Sequence, residues 1–148
     1  MSQRVILLVE DDPNDAFFIA RALNELGFTG RVQHVTNTFR AREYLTGAGE
    51  FRDRESFPLP DIVVSDSTLP GKASGIDFLE WMRQQPELAR APFVILSGEI
   101  TPEVRARANA AGVKLLLQKG SNFKQMIAAL REALKQMPEE RRPWLSPD

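Results

Sequence analysis

At 148 residues, the chain is long enough for one ordinary domain and short for two. Its 19 basic and 20 acidic side chains give a net charge of −1, without the basic excess that bulk nucleic-acid binding usually shows. Having no cysteine excludes disulfides, thiolate catalysis and cysteine metal sites, and a single histidine, His34, excludes a multi-histidine centre within one chain.

The first segment, residues 4–9, is short, branched and apolar, and predicts a buried strand. Its apolar run, Val5 to Val9, is too short for a signal-peptide core or a membrane span, so a soluble cytoplasmic protein is expected. A helix is predicted over 13–27, with Pro13 in the first turn, Asp11 or Asp12 as cap and Gly27 as stop. Its inward stripe is Ala16, Ile19, Ala20, Leu23 and Leu26, and one ring of Phe17-Phe18 is expected to face the core. Residues 31–36 alternate as a strand with His34 at the surface, and 38–47 form a short helix burying Phe39, Ala41, Tyr44 and Leu45. The polar stretch 48–60, with two prolines, predicts an exposed loop.

A third strand is predicted at 61–66, then a helix at 75–85 with Ile76, Leu79 and Met82 inward. Strands at 92–98 and 113–120 flank a helix at 101–112. The last helix, 121–137, shows the clearest period through Phe123, Met126, Ile127, Leu130 and Leu134. Residues 138–148 read as a Pro-rich C-terminal tail, leaving 1–137 as the domain; Trp144-Leu145 docks on the last helix or on a partner, or else stays free.

Five strand–helix units in succession imply a parallel sheet with helices on both faces, and ligands bind such sheets beyond the carboxyl ends of the strands. Those ends carry Glu10-Asp11-Asp12, Asp66, Ser97-Gly98 and Lys119-Gly120. Taken singly, an acid cluster after a strand is ordinarily a solvated helix cap, and a lone lysine a surface residue. Together, carboxylates suit Mg²⁺, a hard ion that takes oxygen ligands, and a lysine with a hydroxyl suits a phosphoryl oxygen. Mononucleotide and dinucleotide glycine fingerprints are missing. Asp12 and Asp15 are read as loop and helix-start residues, so Asp15→Asn is expected to leave most of any activity of the site.

The pattern "LLVEDDP … VVSDSTLPGKASG … VILSG … LLLQKG" resembles a receiver domain of a two-component response regulator over roughly residues 4–136. The resemblance implies a flavodoxin-like (βα)5 three-layer α/β sandwich with a parallel five-stranded sheet of order 2-1-3-4-5. It implies that Asp66, followed by Pro70, accepts a phosphoryl group from a sensor histidine kinase or phosphotransfer protein. Asp11 would bind Mg²⁺ directly, Glu10 through water and Thr68 through its carbonyl, with Asp66 completing the set. Ser97 and Lys119 would hold the phosphoryl oxygens. Such a protein is a signalling switch, not an enzyme: it catalyses only its own phosphorylation and dephosphorylation. It acts through protein contacts on the helix 4–strand 5–helix 5 face, where a homodimer is among the expectations, and neither nucleic acid nor membrane is an expected partner.

Two departures stand out. The usual Lys-Pro step is Lys119-Gly120, and the usual aromatic three residues before the lysine is Leu116. The long 48–60 segment and the non-proline after Lys119 resemble small phytochrome-associated single-domain response regulators, a resemblance that implies dimerisation through the face containing helix 5 and a C-terminal extension. The departures motivate an alternative, a degenerate receiver working as a phosphorylation-independent interaction or dimerisation module. A haloacid-dehalogenase-type phosphatase would want an aspartate where Thr68 stands.

Overall fold

The computed structural model describes residues 3–68, 74–140 and 143–144; Pro70, most of the "GKASG" segment and Leu145 lie outside the described residues. Strands β1 (Val5–Val9), β2 (Arg31–Val35), β3 (Ile62–Asp66), β4 (Phe93–Ser97) and β5 (Leu115–Gln118) pair in parallel in the order β2-β1-β3-β4-β5. Between and after them run α1 (Pro13–Glu25), α2 (Thr38–Thr46), α3 (Gly75–Gln84), α4 (Pro102–Ala110) and α5 (Phe123–Leu134). This is the expected flavodoxin-like sandwich.

Successive strand side chains point to opposite faces, so alternate residues feed two cores. Ile6, Leu8, Ile62, Val64, Val94 and Leu96 meet Ile19 and Leu23 of α1 and Met126 and Leu130 of α5. Leu7, Val9, Val63, Phe93 and Ile95 share the opposite core with Tyr44 of α2, Phe78, Leu79 and Met82 of α3 and Ala108 of α4. Covering both faces is why the central strands read as unbroken apolar runs.

Capping side chains fix where the helices start. Asp12, not Asp11, caps α1, accepting from the amides of Asn14 and Asp15. Ser74 and Asp77 form a reciprocal capping box on α3, and Thr101 and Asn122 cap α4 and α5.

Four side-chain expectations need correction. The α1 stripe buries Ala22 in place of Ala20. Phe17 and Phe18 are both exposed, at 61% and 44%, because Ala16, Ile19 and Leu23 already fill the sheet-facing arc. Phe39, 68% exposed, falls one residue off the stripe of Thr38, Ala41, Tyr44 and Leu45. The 48–60 segment is a packed lobe. It holds a 3-10 turn, Gly49–Arg52, and the buried ring of Phe51 sits 5.1 Å from both Tyr44 and Phe57. Arg54 ties the lobe down by donating to the carbonyls of Tyr44, Leu45 and Phe57.

Trp144 is only 6% exposed and belongs to the α2–α4 core, although α5 lies in the other layer. Past α5, Arg4 at the amino end of β1 donates to the Glu139 carbonyl at 2.5 Å. No helix among the described residues is long and apolar enough to cross a membrane.

Candidate functional site at the carboxyl ends of the strands

Glu10 follows β1 directly, with its amide hydrogen-bonded to the Val35 carbonyl, so its side chain is only 1% exposed. Asp66 ends β3, and Lys119 follows β5, its amide donating to the Ser97 carbonyl at 2.7 Å. The Lys119 ammonium, with three N–H donors, bonds Glu10 Oε1 at 2.6 Å, Asp66 Oδ2 at 2.9 Å and Asp15 Oδ2 at 2.9 Å. Burial lowers the affinity of Lys119 for its proton, but these three carboxylates outweigh it, and the ammonium stays charged well above the ordinary lysine range. Burial pushes the Glu10 carboxyl up to about 7, against the lowering contributed by Lys119.

One oxygen each from Glu10, Asp11 and Asp66 lies within 4.8 Å of the others. An all-oxygen carboxylate set of that size fits a small hard divalent ion. Thr68 is exposed, and its amide donates to Asp66 Oδ1 at 3.1 Å, which places the Thr68 backbone beside the cluster.

Ser97 is 1% exposed at the end of β4. Its Oγ donates to the Glu99 carbonyl at 2.7 Å and lies 2.8 Å from Ser67 Oγ. Every residue singled out at the strand ends thus lies at one edge of the sheet, although Ser97 faces Ser67 and Glu99 rather than the carboxylates.

Two glycines set the surrounding backbone. A Cβ on Gly75 would overlap the Asp66 carbonyl, so glycine lets α3 begin against the site. A Cβ on Gly120 would overlap Gln125 at the start of α5, so the Lys119-Gly120 departure reflects close approach of that helix. No peptide bond among the described residues is cis.

Three contacts escape a strand-end reading. Asp15 is the third residue of α1, and helical side chains lean back toward the N-terminus. That lean carries it to Lys119, so it is more than a helix-start residue. Ser67 is hidden because the residue after a strand-end acid carries no recognisable signal. His34 is exposed, as expected, but its Nε2 lies 2.7 Å from the Glu10 carbonyl. Because a carbonyl only accepts, that nitrogen carries the proton.

A parallel sheet of this order, with an acidic cluster and a lysine at its carboxyl edge, is the architecture of a signalling switch domain. The chain matches the response regulator receiver domain over residues 6–131 and belongs to that family, whose members are signalling switches. It is 30% identical over 128 residues to the probable methanogenesis regulatory protein FilR2 of Methanothrix harundinacea, covering 86% of this chain and 79% of that one. It is 28% identical over 124 residues to the response regulator Rcp1 of Synechocystis, covering 84% of this chain and 82% of that one. The Mn²⁺-bound form of Rcp1 superposes with a TM-score of 0.79 at 26% identity, covering 92% of this chain and 95% of that one. The phosphorylated cyanobacterial phytochrome response regulator RcpA superposes with a TM-score of 0.82 at 26% identity, covering 92% and 94%.

Proposed function

We propose that the chain is a phosphorylatable receiver in which Asp66 takes a phosphoryl group from a phosphohistidine of a sensor kinase or phosphotransfer protein. The observation that carries this reading is Lys119 bridging Glu10 and Asp66 at the carboxyl edge of the sheet. The Asp66 carboxylate attacks phosphorus, the P–N bond breaks, and the imidazole leaves with its electron pair. Lys119 meets the charge that spreads over the phosphoryl oxygens, and Ser97 supplies a hydroxyl once it turns toward them. Water then attacks phosphorus, returning Asp66 and inorganic phosphate.

Glu10, Asp11 and Asp66, with the Thr68 carbonyl, would hold Mg²⁺. That ion would neutralise phosphoryl charge. The Mn²⁺-bound Rcp1 structure supports a divalent ion at such a cluster. The likeness to Rcp1 and RcpA supports a light-sensing kinase as donor and a cytoplasmic setting.

Residues 1–137 are assigned to the receiver and 138–148 to an extension that anchors through Trp144. Readout through the α4–β5–α5 face, including a homodimer, is supported by the edge position of β5 and its half-buried leucines.

The test is incubation with Mg²⁺ and acetyl phosphate, read by intact mass. A gain of one phosphoryl group that Asp66→Asn removes is expected. No gain, together with unchanged oligomeric state in beryllofluoride, would favour the phosphorylation-independent module.

A further inference from the structure

Ser97 is the hydroxyl offered to a phosphoryl oxygen in the reading above, yet its one proton is committed to the Glu99 carbonyl at 2.7 Å. A hydroxyl carries a single proton, so in the 2.8 Å contact between the two serines Ser67 must be the donor. Both serines are buried, at 7% exposure for Ser67 and 1% for Ser97. Nor is Ser67 free to drift. Its carbonyl accepts from the Gly75 amide at 3.1 Å, where α3 packs onto the Asp66 backbone. The position three before Lys119, Leu116, is apolar and packs against the α2–α4 core, so it has no polar atom with which to steer Ser97.

We propose that Ser67 is a positioning residue that holds Ser97 turned toward the Glu99 carbonyl in the unphosphorylated protein. It thereby sets how readily the site accepts a phosphoryl group, an inference that rests on the phosphoryl chemistry proposed for Asp66. For Ser97 to meet a phosphoryl oxygen, its proton must leave Glu99. The Ser67 proton then loses its aligned acceptor in a buried place, which is costly. Glu99 is exposed, so water replaces Ser97 at its carbonyl. The loss falls mainly on Ser67, and removing its hydroxyl removes the hold.

The experiment is titration of beryllofluoride into Mg²⁺-saturated wild type, Ser67→Ala, Ser67→Thr and Ser67→Cys, followed by amide NMR. Ser67→Ala is expected to bind roughly three- to tenfold more tightly, the span of one net hydrogen bond. Ser67→Thr, which keeps the donor, should stay within about twofold of wild type, and Ser67→Cys, a weak donor, should fall between. Without metal or mimic, the Ser97 and Glu99 amides of Ser67→Ala should already shift toward their mimic-bound positions. Unchanged or weaker binding by Ser67→Ala, or amides that do not move, overturns the assignment. Wild type that ignores beryllofluoride altogether overturns the phosphoryl reading instead, while the metal-free shifts still decide the serine pair.

Discussion

Asp15 and Lys119, 104 residues apart in sequence, meet at 2.9 Å across the mouth of the site. Lys119 thereby gains a carboxylate partner outside the candidate metal set of Glu10, Asp11 and Asp66. A divalent ion held by that set would draw Glu10 and Asp66 toward itself and would leave Asp15 to hold the ammonium in place.

The Asp15 side chain is 36% exposed, so its charge is screened, and asparagine keeps an acceptor within reach. Asp15→Asn should therefore slow labelling by acetyl phosphate by no more than roughly threefold. Asp15→Lys places a second cation beside Lys119 and should slow it at least about tenfold. Initial rates from intact mass decide this; near-complete inactivity of Asp15→Asn would make Asp15 indispensable rather than supporting.

Replacing Lys119 strands Glu10, which is only 1% exposed. Lys119→Met should cost on the order of 3–5 kcal/mol in metal-free protein at mildly alkaline pH, as when one partner of a buried ion pair is removed. The loss should shrink in mild acid, where Glu10 takes a proton. Urea melts of both proteins at the two pH values measure it, and equal losses would contradict the account.

Glu10 also sets a pH dependence in the wild type. Its carboxyl is raised by burial from 4.5 to about 7, so the folded protein holds this proton more tightly than the unfolded chain. The resulting stability is fully present below 4.5 and falls away as pH rises to about 7. Proton and metal compete for the same carboxylate, so Mg²⁺ binding should weaken as pH drops below about 7. Calorimetric Mg²⁺ titrations across this window should show the slope, and Glu10→Gln should flatten it.

Gly120 leaves no room for a Cβ against Gln125. Gly120→Ala should cost about 2 kcal/mol by overpacking, and Gly120→Pro, which restores the residue usual in the family, should cost more. Thermal melts check this; a proline variant as stable as wild type would mean that α5 shifts freely.

Period and punctuation carried most of the fold. Apolar runs gave the strands, and Pro13, Gly27 and the Thr101 cap marked helix ends, because local sterics and orphan amides decide those positions. The residues singled out at the strand ends were legible once a parallel sheet was inferred, since Glu10, Asp66, Ser97 and Lys119 all follow or close a strand. What stayed hidden depends on partners distant in sequence. Phe39 and Phe17 are apolar, and only the helix rotation against the sheet shows that they face out. The Arg54 anchorage of the 48–60 lobe consists of side chain to carbonyl bonds, which composition does not encode. Ser67 and Asp15 enter the site through rotamer direction, below the resolution of any spacing rule.

Trp144 lies in the core layer built by α2, α3 and α4. During synthesis that layer emerges early, but one of its largest rings arrives last. The nascent chain must therefore wait with this layer incompletely sealed until residue 144, beyond α5, has been made and can fold back.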